Sequence, residues 1–173
     1  MSTEKIIITL FAKDRPGIIR ALSDTVLANK GNWLESSLSR LCGQFTGIVH
    51  VAVESGNKAA LIADFEAMSK DGVWVTVQQA EGVKTDDIEV NGLQILVEAN
   101  DRPGIIKEIS AALAAENVNV DNIDTEVESA SMAGYPIFRA HMFLAMPDDL
   151  SEDDLEEILE SVSDDVMVSV LED

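Results

Sequence analysis

Asp14-Arg15-Pro16-Gly17-Ile18-Ile19 returns, residue for residue, as Asp101-Arg102-Pro103-Gly104-Ile105-Ile106 in a chain of 173 residues. A repeat on this scale divides the chain into two units of roughly 80 residues each. Both copies follow an apolar run and precede an amphipathic one, which places them where a strand ends and a helix begins. Proline at the first helical position is preorganised for the helix, and the glycine beside it lets another backbone or a ligand come close. Free amides of the first turn then face a small open spot with a partial positive charge, which suits a carboxylate. Asp14 and Asp101 stand just outside. Donors beside an anion are what a zwitterionic amino acid needs, although a plain strand-to-helix turn capped by the Asp reads equally from either loop alone.

Working outward, Ile6 to Ala12 reads as a strand with Ile6, Ile8 and Leu10 on one face, and Leu93 to Ala99 is its counterpart. Beyond the loops, Ile18, Leu22 and Val26 recur every four residues, as do Ile105, Ile109 and Leu113, so both runs are helices. Asn32 to Leu41 and Asn119 to Val127 are second strands whose period is unclear. The alternation of Ile48 to Val53 marks a third strand, matched by Phe138 to Leu144 after a loop four residues longer. Leu61, Phe65 and Met68 mark a second helix, and its partner opens with the capping sequence Ser151-Glu152-Asp153-Asp154 before Leu155, Ile158, Leu159 and Val162. Short strands, Val73 to Gln79 and Val166 to Leu171, close the repeats. The fold class is therefore α+β: two tandem ferredoxin-like βαββαβ units, each an antiparallel sheet with its helices on one face. Glu81 to Asn91 is largely polar, with four acidic residues against one lysine. We set the domains at 1–84 and 92–173, with 85–91 as linker.

Charge narrows the partners. With 32 acidic and 12 basic residues the formal net charge is −20, and the basic residues form no run that could track phosphates. Direct binding to nucleic acid or to an anionic membrane surface is not expected. A single cysteine, Cys42, precludes an internal disulfide and fits a reducing compartment, and no signal peptide or membrane-spanning run is evident. The expected location is the cytoplasm.

The six-residue motif closing the first strand, with an Asn opening the second strand 18 residues after the Asp, resembles the ligand-binding signature of the ACT domain family. Both repeats carry it, as Asp14 with Asn32 and Asp101 with Asn119. The resemblance covers nearly the whole chain, and Ser39-Arg40-Leu41-Cys42-Gly43-Gln44-Phe45-Thr46-Gly47-Ile48-Val49 is similar to a hairpin of paired ACT proteins that regulate transcription. It implies an amino-acid-sensing regulator without catalytic activity, acting by contact on a transcriptional activator; the alternative is a ligand-free module that regulates a metabolic enzyme. In the family, two modules face each other across small-molecule sites. Carried over, Asp14, Gly17 and Ile18 would sit opposite Asn119, and Asp101, Gly104 and Ile105 opposite Asn32. Serine-sensing members have an amide at the Asp position and a histidine two residues earlier, where this chain has Ala12 and Ala99. Glycine is therefore the favoured ligand. No cofactor or metal is implied.

Each of these residues has a plainer role. Asn32 and Asn119 serve equally as strand-entry residues, and Arg15 and Arg102 as solvated side chains. His50 and His141, the only histidines, match in the third strands; the alternation points His50 to the sheet face away from the helices. Two histidines on separate repeats are too few for a metal site. Cys42 suggests a thiol nucleophile near His50, but no third group accompanies it. The acidic C-terminal region, from Asp148-Asp149 to Glu172-Asp173, is a solvated face or a docking surface for a basic partner. Open sheet edges and an outer face that includes Ile7 and Phe11 imply a homo-oligomer.

Overall fold

In the computed structural model, which describes residues 2–80, 91–129 and 135–171, the chain divides into two compact units, 1–85 and 86–173. The first comprises β1 (Thr3–Lys13), α1 (Ile18–Ala28), β2 (Asn32–Leu41), β3 (Gln44–Glu54), α2 (Lys58–Ala67), which runs on into a 3-10 turn (Met68–Asp71), and β4 (Val73–Gln79). The second comprises β5 (Asn91–Asn100), α3 (Ile105–Ala115), β6 (Asn119–Ser129), β7 (Pro136–Met146), α4 (Glu152–Glu160) and β8 (Met167–Val170). Each unit is βαββαβ, with sheet orders β2-β3-β1-β4 and β6-β7-β5-β8 and every described pairing antiparallel. Apart from Asn91, which opens β5, the linker read at 85–91 lies outside the described residues. So do 130–134 of the longer second hairpin and the terminal Glu172-Asp173.

Alternation along the strands decides where the cores lie. Ile6, Ile8 and Leu10 of β1 and Val49, Val51 and Val53 of β3 form one buried cluster with Ile18, Leu22 and Val26 of α1 and Leu61 and Phe65 of α2. Because these strand residues share one face, both helices cover the same side of the sheet. The second unit repeats the design with Ile95, Val97, Met142 and Leu144 under Ile109, Leu113, Leu155 and Leu159. Each such fully buried aliphatic side chain contributes about 1.5–3 kcal/mol relative to exposure.

Two expectations change in detail. The proline does not open the helix: α1 begins at Ile18 with Gly17 as its N-cap, and α3 at Ile105 with Gly104, so Pro16 and Pro103 belong to the turn before it. Strand bounds shift as well: β3 reaches from Gln44 to Glu54 because the hairpin carries the ladder past the last alternating residue, whereas β8, Met167–Val170, is shorter than the run read at Val166 to Leu171.

Candidate functional site

The repeated loops adopt matching backbones. Gly17 and Gly104 have φ of +95° and +97°, left-handed values open to glycine at little cost. As N-caps they offer no side-chain acceptor to the amides of the first helical turn. The hairpins hold the loops from below: the Asp14 amide donates to the Gly43 carbonyl at 2.9 Å, and the Asp101 amide to the Pro136 carbonyl at 3.0 Å. Gly43 belongs to a two-residue turn with Cys42, whose φ values of +75° and +49° suit the twist of a hairpin.

A cleft of about 290 Å³ lies against the first loop, lined by residues 14–20 and Phe45. Asp14 forms its acidic wall, with Arg40 of β2 at 3.5 Å from its carboxylate. Arg40 was missed by the sequence reading, since only the hairpin brings residue 40 beside residue 14. Arg15 also lines the cleft and donates to the Asp71 carbonyl at 3.1 Å. In the second loop Arg102 instead donates to both carboxylate oxygens of Glu108, one bond being 2.9 Å, so neither arginine is merely solvated. This pairing holds the Glu108 carboxyl below its usual range and raises Arg102. Asp165 accepts from the Asn100 amide at 3.0 Å beside that loop, and its carboxyl is lowered chiefly by the Ser163 hydroxyl.

The expected ligand residues separate within each unit. Asp14, Gly17 and Ile18 gather at the β1 end of the sheet, whereas Asn32 pairs in register with Ala52, near the opposite end. From Gln44, beside Lys13, to Ala52 is eight steps of strand, about 26 Å. Asp101, Gly104 and Ile105 are parted from Asn119 in the same way: Asn119 lies opposite Ala145, and Asn100 opposite Ile137. The Asn119 amide also donates to Asp121 at 2.6 Å. Ala12 and Ala99 lie inside the cores and offer the loops no polar contact.

Both histidines sit away from these loops. His50 lies in register between Ile7 and Glu35 on the face opposite the helices, lining a cleft of about 200 Å³ with Ser37 and Ile48. Its Nε2 is buried without a hydrogen-bond partner. His141 is exposed, in register with Asp124. Cys42, exposed at the hairpin tip, is not near His50: the strand from Gln44 to His50 spans about 20 Å. Among the described residues no group of three or more His, Cys, Asp or Glu is placed to hold a metal ion, and no helix is long and apolar enough to cross a membrane.

No match was found among curated protein sequences. Among solved structures, one described as an unknown protein from Galdieria sulphuraria superposes with a TM-score of 0.80 at 23% identity, covering 99% of this chain and 100% of that one. A candidate glycine cleavage system transcriptional repressor superposes with a TM-score of 0.75 at 15% identity, covering 99% of this chain and 98% of that one. Residues 4–78 and residues 93–164 each match a family profile described as ACT domain. The repeated loop, the βαββαβ order and these two matches together establish that the chain belongs to the ACT domain family, as a tandem pair of its domains.

Proposed function

We propose that this protein is a cytoplasmic amino-acid sensor without catalytic activity that regulates another protein by contact. The observation that carries the reading is the repeated loop: a left-handed glycine, helix amides without a side-chain cap, and an aspartate beside them, with a cleft of about 290 Å³ at the first copy. Amide donors suit a ligand's carboxylate and the aspartate its ammonium. A free amino acid as small as glycine fits a cleft of this size. The ligand set is Asp14, Gly17, Ile18 and Asn32 with Asp101, Gly104, Ile105 and Asn119.

The partner of this reading is a transcriptional activator, in keeping with the likeness in fold to the candidate repressor of the glycine cleavage system. The exposed Glu152, Asp153, Glu157 and Glu160 of α4 suit a basic surface, such as a DNA-binding protein offers. Exposed Phe11, Ile48 and Trp74 on the outer sheet of the first unit favour self-association. Any response requires the ligand to prefer one state of the protein over another.

Calorimetric titration with glycine, serine and larger amino acids tests the reading. Binding that Asp14→Ala weakens is expected; absence of heat from a folded protein with every amino acid would remove sensing. A second reading, a ligand-free module acting on a metabolic enzyme, is favoured by the engagement of Asp14 with Arg40 and of Arg102 with Glu108. A pull-down that recovers an enzyme and no transcription factor would select it.

A further inference from the structure

The two loops agree in sequence and backbone but differ in what stands over the first helical turn. Ala21 and Glu108 hold equivalent places, their amides donating to Gly17 and Gly104 at 2.9 and 3.1 Å. Both residues close the first turn of their helices, and side chains on a helix lean toward its N-terminus, so a long one there reaches back toward the capping glycine. Alanine reaches nowhere, and nothing lies within 4 Å of the point where a Cβ on Gly17 would stand. Glu108 does reach: its Oε1 is 3.8 Å from the same point on Gly104, and both of its oxygens accept from Arg102.

The second loop therefore already has a carboxylate beside its glycine and an arginine gripping that carboxylate. Asp101 and Asp165 add to the negative charge there, against Arg102 and Lys107. The first loop has Arg15 and Arg40 alongside Asp14. An arriving amino acid would bring its own carboxylate to both, and like charges a few ångströms apart repel.

We propose that Glu108 is a built-in occupant of the second loop, standing in for a ligand's carboxylate, so that each chain takes up one amino acid, at the first loop. The inference rests on the sensing reading and narrows it. Ala21 leaves the first loop open; Glu108 closes the second.

The test is a glycine titration of the whole chain, followed by calorimetry and by the backbone amide signals of Gly17 and Gly104. Wild type is expected to bind one equivalent, moving the Gly17 signal and not that of Gly104. Glu108→Ala, which installs the residue the first loop already has, should raise the count to two and make the Gly104 signal respond; Glu108→Gln, which keeps the size and removes the charge, should do so in part. Ala21→Glu should weaken the first site by at least about tenfold. Two equivalents in wild type, or a Gly104 response there, would overturn the inference while leaving sensing intact. A Glu108→Ala protein that still binds one equivalent would overturn the role of Glu108. No response from wild type or any variant would remove sensing, and the inference with it.

Discussion

Replacing Gly47 with alanine should cripple the first unit and leave the second untouched. Gly47 lies in β3 between Leu38 of β2 and Leu10 of β1, at φ +150°. An added Cβ would stand 2.1 Å from the Ser37 carbonyl oxygen and 2.8 Å from the Leu38 Cα. Ordinary contact begins at 3.4 Å, so the two strands would have to part by about 1.3 Å, the difference between 3.4 and 2.1 Å. Both obstacles are backbone, and neither can swing aside. Backbone strain of this kind costs about 1–3 kcal/mol, and each ladder hydrogen bond lost adds about 1 kcal/mol. The expected total is roughly 3–5 kcal/mol, a large part of the stability of a small domain. With a urea slope of about 1–1.5 kcal/mol per molar for a unit this small, the midpoint should fall by roughly 2–5 M. Both tryptophans, Trp33 and Trp74, belong to the first unit, so fluorescence follows that unit while circular dichroism follows both. Gly43→Ala is the control: φ is +75° but nothing lies within 4 Å, and the loss should be only about 1 kcal/mol. A fluorescence midpoint for Gly47→Ala no lower than that of Gly43→Ala would refute the reasoning.

The second unit offers two independent checks. Ser151 caps α4 by accepting from the Asp154 amide at 3.1 Å, so Ser151→Ala should cost about 1 kcal/mol, read as an earlier urea transition in circular dichroism with the fluorescence transition unmoved. The Glu108 and Asp165 carboxyls are lowered in the folded state, by Arg102 and by the Ser163 hydroxyl respectively. The folded unit thus binds fewer protons than the unfolded chain near those values, so their stabilisation is full above the ordinary carboxylate range of about pH 4–4.5 and is lost as pH falls through the lowered values. Urea transitions at successive pH values from neutral to acid should therefore fall less steeply in Glu108→Gln than in wild type; identical slopes would show that the Arg102 pair contributes nothing to acid sensitivity.

Where a residue's environment is set by near neighbours in sequence, the chain was readable. Ile18, Leu22 and Val26 point into the core because helical spacing puts them on one stripe, and the same holds for Ile105, Ile109 and Leu113. Ser151 announced its helix through the local chemistry of a cap. The unclear period of the second strands has a physical cause: β2 and β6 are sheet edges, largely exposed on both faces, with a register shift between Trp33 and Glu35 and another between Val120 and Asn122. Neither face is apolar enough to impose alternation. The candidate site was legible as a motif and not as a set of contacts. Arg40 reaches Asp14 only through the hairpin, and Arg102 meets Glu108 across a spacing of six that fits no helical ridge until the turn at Gly104 is in place. The distance between Asp14 and Asn32 within a unit likewise follows from antiparallel register rather than from their separation in sequence.

The difference between Ala21 and Glu108 has a consequence for how such a protein can change over time. In an assembly of identical subunits every substitution is made everywhere at once, so a residue that shuts one receptor shuts them all. Here the two copies are spelled out separately along one polypeptide, and a single codon can alter one and spare the other. If Glu108 occupies its loop as proposed, fusion has let one copy become a fixed support while its twin keeps the capacity to respond.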